Sequence, residues 1–341
     1  MTIGSPPYRR RHPPFVIAWR LPPEDRTSYC SRVVSNNDAD HRLLEYGSEG
    51  EFMAGVAPFL IDGLKAGEPG LVVASARNLA AVRDVLGSAG DGRLRFADSD
   101  AWGSGNVPSR VLAVEWTIRK LLSTASRCRY VGEFTWAGVA RRKEWCRHEA
   151  AANLLRPSSL VSMLCTADTR ANPAAFLEDL RRTHPIIAPD RVNPDFIEPW
   201  AYLTQLDGNS YYPAPRHAVT SLAVDEQDLR PIRQRVQTAA QATGLTDHQR
   251  QRLALAATEI VANAVRHGGT VTTVKTWAEG NRFCCEVSDN GMGIDDPIAG
   301  YRPPAPAGGR CGLWLARTFS DELRIFSSAA GTTVRLSFTL T

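Results

Sequence analysis

The sequence has no apolar run long enough to cross a bilayer. Its longest early run, Phe15 to Trp19, is too short even for a signal-peptide core, and no stretch approaches the ~20 residues of a membrane helix. A soluble, cytoplasmic protein with no membrane partner is expected. Its seven cysteines are odd in number and form no C-x2-C pair, so neither a disulfide framework nor a zinc motif is legible, and they read as reduced thiols. A large excess of one charge sign is lacking too. The net charge is +4, and the basic excess includes the run Arg9-Arg10-Arg11 rather than a patch interleaved with aromatics, which argues against direct nucleic-acid binding. The run Leu71 to Ser75 leads into Ala76-Arg77-Asn78, not into G-x4-G-K-[ST], so the phosphate cradle of a P-loop ATPase is missing. No internal repeat relates the two halves.

What is present is an ordinary soluble balance, 43% apolar and 22% charged over 341 residues, enough for two modest cores. Residues 1–39, rich in Pro, Arg, Ser and Asn, lack periodicity and are expected to be disordered. From 40 to 188, strand-like runs at 71–75, 94–97, 130–136 and 160–166 alternate with helical patterns at 50–66, 77–88, 109–123, 143–155 and 173–182. That alternation predicts an α/β domain with a mostly parallel sheet covered on both faces. Five prolines between 189 and 216 mark a linker. Residues 217–341 then read as strand 218–224, helix 226–242, a helix 247–267 capped by Thr246, strands 271–279 and 282–288, a Gly/Pro-rich loop, helix 312–320, and strands 322–328 and 332–340. This order predicts an α/β sandwich with helices on one face of a mixed sheet.

Four clusters in this second half could build one nucleotide site. On the long helix, Glu259, Asn263 and His267 form one polar stripe beside an apolar packing side. An Asn oxygen suits Mg²⁺, a hard cation that keeps phosphate and water as its other ligands, and a carboxylate one turn away can orient or deprotonate an attacking group. Taken alone, the stripe is a surface helix. Asp289-Asn290-Gly291-Met292-Gly293 ends a strand; a carboxylate accepts the exocyclic amine of adenine but repels the carbonyl of guanine, and the glycines allow backbone to approach a ligand. Alone it is a tight turn, yet about twenty residues follow before helix resumes, the length of a lid. At its far end Gly308, Gly309 and Gly312 can turn amides toward phosphate at a helix start, with Arg310 in reach of the terminal phosphate. Gly331-Thr332-Thr333 opens the last strand, where Thr333 could meet the adenine edge directly or through water.

The stretch 217–341 resembles the GHKL (Bergerat) ATPase fold, and within it the anti-sigma factor kinases. Thr258 to Gly268 resembles the N box, Asp289 to Gly293 the first glycine box, Gly308 to Gly312 the second and Gly331 to Thr333 the third. The resemblance implies ATP and Mg²⁺ as cofactors, Asn263 as metal chelator, Glu259 as general base, Asp289 as adenine ligand and Arg310 as γ-phosphate contact. It implies two protein partners, a sigma factor that is sequestered and a STAS-type antagonist phosphorylated on serine, and it allows a homodimer. Cys311 departs from the Gly-Arg-Gly-Leu-Trp-Leu wording common in that branch.

The first half, through Gly132-Glu133-Phe134-Thr135-Trp136, Glu149 with Asn153, Leu164 to Asp168 and Thr183-His184-Pro185, resembles the MEDS sensory domain, a RecA-like module. The resemblance implies an unidentified small-molecule ligand. Glu133 falls at a strand's C-terminal end, where open α/β sheets bind ligands, and with Trp136 and Asp168 it could line a pocket. Equally, Glu133 and Asp168 could cap strands and pair with Arg141, Arg142 or Arg170. His184 reads as structural. Two other functions stay open: a nucleotide-gated sigma-factor binder without phosphotransfer, and a histidine kinase, to which Arg147-His148-Glu149 bears a faint likeness. The latter lacks the two long helices that should precede its ATPase half.

Overall fold

The computed structural model describes residues 40–90, 92–100, 107–134, 139–155, 159–207, 211–223, 229–267, 272–294, 296, 298–301 and 312–340. The stretch 1–39 and the expected site residues Trp136, Gly308, Gly309 and Arg310 lie outside these.

In the first half seven strands form one sheet: β1 His41–Tyr46, β2 Gly70–Ala74, β3 Leu94–Asp98, β4 Cys128–Phe134, β5 Val161–Asp168, β6 Ile186–Ile187 and β7 Arg191–Val192, in the order β3-β2-β4-β5-β1-β6-β7. All neighbours are parallel except β6 and β7. The inner strands β2 and β5 are buried on both faces, as parallel strands between helical layers must be. Phe52, Val56 and Leu60 of α1 (Glu49–Lys65) and Leu79 and Val82 of α2 (Ala76–Leu86) pack with Val72, Val131 and Leu164. On the residues between these, Leu71, Val73 and Met163, pack Val114 and Ile118 of α3 (Val107–Leu122) and Ala152 of α4 (Val139–Leu155). A third cluster joins Leu43 and Cys165 to Phe176, Leu177 and Leu180 of α5 (Ala174–Thr183).

The proline-rich stretch expected to be a linker holds β7 and a helix, α6 (Pro199–Asp207), whose Tyr202 and Leu203 are buried. Pro199 stands at the helix start, where proline costs no hydrogen bond. Tyr211 and Tyr212 then stack on Arg335, which also donates to the Tyr212 carbonyl at 2.7 Å and pairs with the buried Glu286 at 3.0 Å.

The second half carries a five-stranded sheet, β8 Val219–Ala223, β9 Thr272–Glu279, β10 Arg282–Asp289, β11 Glu322–Ser328 and β12 Gly331–Thr339, ordered β11-β12-β10-β9-β8. Every pair is antiparallel, which corrects the expected mixed sheet. Tight hairpins join β9 to β10 and β11 to β12, and a tight hairpin can only be antiparallel. One face is covered by α7 (Arg230–Gln241), α8 (Asp247–His267) and α9 (Gly312–Phe319), whose Val236, Leu253, Ile260, Val261 and Ala316 share a core with Phe283, Cys285, Val287, Val334 and Leu336. Thr246 caps α8 as expected: its hydroxyl accepts from the Gln249 amide at 3.2 Å while the Gln249 side chain accepts from the Thr246 amide at 2.9 Å. Such a reciprocal cap stabilises by about 0.5–2 kcal/mol. All described residues fall within one compact unit.

Candidate functional site

Glu259, Asn263 and His267 lie on one face of α8, the first two half-buried and the third exposed at the helix end. Gly312, the first residue of α9, is set against that face. A Cβ at Gly312 would stand 2.6 Å from Asn263 Nδ2 and 3.2 Å from Glu259 Oε2, so any side chain there would displace the Asn263 amide from this position. These three residues form one group.

A second group surrounds Asp289. Phe283, Cys285 and Val287 alternate onto the helix-covered face of β10, and Asp289 continues that alternation. Its Oδ1 accepts from the amides of Gly291 at 2.9 Å and Thr332 at 3.3 Å, which fixes the carboxylate. Gly331, at φ +135°, turns the chain so tightly under the Asp289 carbonyl that any Cβ would collide with it. Gly293, at φ +85°, lies against Ser327 and Ser328, and the next amide, Ile294, donates to Ser327 Oγ at 2.5 Å. The first glycine box is thereby pinned to the β11–β12 hairpin.

Thr333 is a correction. Val334, Leu336 and Phe338 of β12 face the helices, so Thr333 points the other way, and its hydroxyl meets that of Ser288 at 2.9 Å on the far face. The residue that reaches Asp289 is its buried neighbour Thr332, through the backbone. The sequence carried that signal in the parity of the apolar positions along the last strand.

In the first half, β2 and β4 are adjacent, but α2 leads from β2 toward one edge of the sheet and α4 leads from β4 toward the other. This is the switch point at which open α/β sheets bind ligands. Glu133 sits there at the end of β4. It accepts from the Tyr46 hydroxyl at 2.6 Å, the Ser75 amide at 2.6 Å and Asn78 Nδ2 at 3.0 Å. Burial first, and then Glu133, push the Tyr46 hydroxyl up, so it remains a donor. A cavity of about 60 Å³ opens here, lined by Glu133, Tyr130, Trp145, His148, Glu149 and Cys165 among others. Asp168 is not among the lining residues; it forms a two-pronged pair with Arg170 at 2.7 and 2.9 Å, and Arg142 pairs with Asp179. Glu133 thus lines the cavity, and Asp168 pairs with Arg170 beside it in sequence.

Residues 40–185 match the family model described as MEDS: MEthanogen/methylotroph, DcmR Sensory domain, and residues 222–338 match that of the histidine kinase-like ATPase domain. The chain joins a MEDS sensory domain to a GHKL-type ATPase domain. Among solved structures it is similar to the RsbU and RsbW domains of Rv1364c from Mycobacterium tuberculosis (22% identity, 36% of this chain and 33% of that one, TM-score 0.26). Others are the Acinetobacter baumannii histidine kinase AdeS (13%, 27% and 47%, 0.24) and the histidine kinase domain of the E. coli osmosensor EnvZ (17%, 38% and 93%, 0.24). The chain thus spans about a third and about half of the first two. No curated protein matches it. Among the described residues no helix is long and apolar enough to cross a membrane.

Helix α4 of the MEDS domain meets the ATPase domain directly. Cys146 and Ala150 share a core with Tyr202 and Leu203 of α6 and with Ile298 and Tyr301, which follow the first glycine box. Glu144 Oε1 accepts from Arg317 Nη1 of α9 at 3.1 Å, and Arg147 lies 3.3 Å from Glu144 and 3.7 Å from Glu322. The Arg317 guanidinium stacks 3.8 Å from the centre of the Tyr301 ring, whose edge meets His148 at 4.9 Å. Burial raises the Glu144 pKa, but Arg317, His148 and Arg147 outweigh it and hold the carboxyl down at about 2.

Proposed function

We propose that the protein is an anti-sigma regulatory factor: an ATP-dependent serine kinase toward a STAS-type antagonist, governed by its MEDS domain. The observation that carries the reading is the close set of Glu259, Asn263 and Gly312 in a GHKL-type domain whose Asp289 carboxylate is fixed by two backbone amides. A magnesium nucleotide fits this set. Asn263 offers a hard neutral oxygen, Gly312 keeps the space beside it that a Cβ would fill, and the constrained Asp289 is an acceptor for an adenine amine. When bound, the nucleotide supplies the phosphoryl group. Asn263 would hold the metal, Asp289 would select the purine, and Glu259 would accept the proton of the serine hydroxyl. Arg310, assigned from sequence, would place positive charge at the terminal phosphate.

Burial of the candidate acceptor argues against the histidine kinase reading: His148 is 8% exposed and packed between Glu144 and Tyr301. The helix that precedes the ATPase domain, α6, is only nine residues long.

Regulation would run through α4, which lines the sensory cavity with His148 and Glu149 and touches the ATPase domain with Glu144 and His148. A ligand acts along this path only by binding the two states with different affinity. The test of the kinase is transfer of labelled phosphate from Mg-ATP to a serine of a cognate STAS protein. Asn263→Ala and Glu259→Ala should abolish it. Nucleotide binding without transfer to any STAS protein would leave a nucleotide-gated sigma-factor binder instead.

A further inference from the structure

Four side chains from distant parts of the MEDS domain converge on one buried point: His41 at the start of β1, Glu149 of α4, Cys165 of β5 and His184 just after α5. Their inner atoms all lie within 4.8 Å of one another. His41 Nε2 stands 3.3 Å from Cys165 Sγ and 3.3 Å from Glu149 Oε2; that carboxylate oxygen is 3.6 Å from His184 Nε2 and 3.7 Å from Cys165 Sγ. Ligands placed tetrahedrally on zinc, at about 2.0–2.2 Å for nitrogen and oxygen and about 2.3 Å for sulfur, are separated by about 3.3–3.6 Å. Four of the six separations, at 3.3–3.7 Å, lie close to that spacing.

The outer hydrogen bonds decide which atoms face inward. His184 Nδ1 is 2.6 Å from the Leu180 carbonyl, which can only accept, so Nδ1 carries the proton. His41 Nδ1 is 3.1 Å from Asn153 Oδ1, and the orientation of that amide is set because its Nδ2 donates to the carbonyls of Glu149 and Thr183. In neutral imidazoles both Nε2 lone pairs then point at the centre, toward a carboxylate oxygen. Three acceptors face one another with a single thiol proton among them. His184 Nε2 is fully buried and has no hydrogen-bond partner. Clustered buried acceptors are costly unless a cation lies between them, and imidazoles held through Nδ1–H by a carbonyl or an amide oxygen are the usual second shell of a metal centre.

The geometry points to a site for a divalent transition-metal ion, zinc(II) foremost, held by His41, Glu149, Cys165 and His184. The ligand set is mixed nitrogen, sulfur and oxygen, which suits zinc over calcium or magnesium. One thiolate and one carboxylate balance the double charge of the ion. On binding, the Cys165 S–H bond breaks, its proton leaves to solvent and the sulfur lone pair forms the bond to the metal. Cys165 and Glu149 also line the 60 Å³ cavity, so the ion would stand at the wall of the sensory pocket.

The inference is independent of the kinase reading, and its test needs no phosphotransfer. The full chain is stripped with a chelator, titrated with Zn²⁺ or Co²⁺ in excess Mg²⁺, and dialysed. The expected result is about one retained ion per chain. The cobalt form should show the strong visible absorption of a four-coordinate ion and a near-ultraviolet thiolate-to-cobalt band. Cys165→Ser should remove that band and His184→Gln should weaken binding at least about tenfold. Asn153→Ala, which touches no metal, should weaken it by about 10- to 100-fold. Retention below about a tenth of an ion by the unaltered chain would overturn the proposal. So would a cobalt spectrum that survives both Cys165→Ser and His184→Gln. The unaltered chain is read directly, so a variant that misfolds cannot shelter the idea.

Discussion

Replacing Gly312 by alanine separates the nucleotide site from the stability of the fold. Gly312 begins α9 with no positive φ, so alanine is compatible with the backbone there and adds up to about 1 kcal/mol of helix propensity. The new Cβ, however, would stand 2.6 Å from Asn263 Nδ2, where ordinary contact begins at 3.4 Å. The Asn263 amide must therefore retreat by about 0.8 Å, and a misplacement of about 1 Å in a positioning group can cost about 10²-fold in rate. Glu259 Oε2, 3.2 Å from the same Cβ, needs only a few tenths of an ångström. The expected outcome for Gly312→Ala is a melting temperature equal to or above that of the parent, with phosphotransfer down by about one to two orders of magnitude and the loss concentrated in the metal-dependent part of nucleotide affinity. Calorimetry with ATP, with and without Mg²⁺, and a thermal melt of the same sample read both sides. Undiminished Mg-ATP affinity and rate would refute the assignment of Asn263, whatever the melt shows.

Asp289→Asn keeps the oxygen that accepts from Gly291 and Thr332 but turns a donor toward the base, so ATP affinity should fall by about 1–3 kcal/mol with little change in the melt. Thr333→Val, on the far face, should leave that affinity unchanged; both are read by calorimetry. Glu144 has a folded pKa of about 2 against an ordinary 4.5, so its stabilisation is fully present above pH 4.5 and is lost as pH falls toward 2. Glu144→Gln should cost about 3–5 kcal/mol near neutrality by leaving Arg317 without its charged partner, and should flatten the acid limb of the denaturant-midpoint profile.

The sequence made local order legible and left non-local order dark. Helix α8 was read to the residue, because its apolar period, its Thr246 cap and its boxed motif all lie within one window. Strand β1, between β5 and β6 in the sheet, escaped: six residues beginning with His41-Arg42 carry no alternation that marks them off from the polar stretch before them. Helix α6 was hidden by the density of prolines around it, although Pro199 sits where a helix tolerates one. In the candidate site, the choice of Thr333 over Thr332 failed on strand parity, a one-residue error that moves a side chain to the opposite face. The partners of Glu133, Tyr46 at the end of β1 and Ser75 and Asn78 at the β2–α2 turn, come from two segments that only the sheet brings to it. The same holds for His41, Glu149, Cys165 and His184, whose spacing along the chain resembles no metal motif.

One side-chain stack runs from the sensory cavity into the ATPase domain. His148 lines the sensory cavity, its ring edge meets Tyr301, and the Tyr301 ring carries the Arg317 guanidinium, which Glu144 also holds. Nothing longer than three residues separates the pocket from the helix that begins at Gly312. Because coupling between binding sites is reciprocal, ATP can serve as the probe for a sensory ligand whose identity is open. If ATP orders the segment after the first glycine box, Tyr301 tightens and α4 should exchange its amide hydrogens more slowly, from Glu144 to Glu149, although no nucleotide touches it. Tyr301→Ala removes the ring between His148 and Arg317 and leaves Asn263 and Asp289 in place. It should keep ATP binding and lose the protection of α4. Unchanged α4 exchange on adding saturating ATP to the unaltered chain would mean that the stack packs the domains together without carrying a signal.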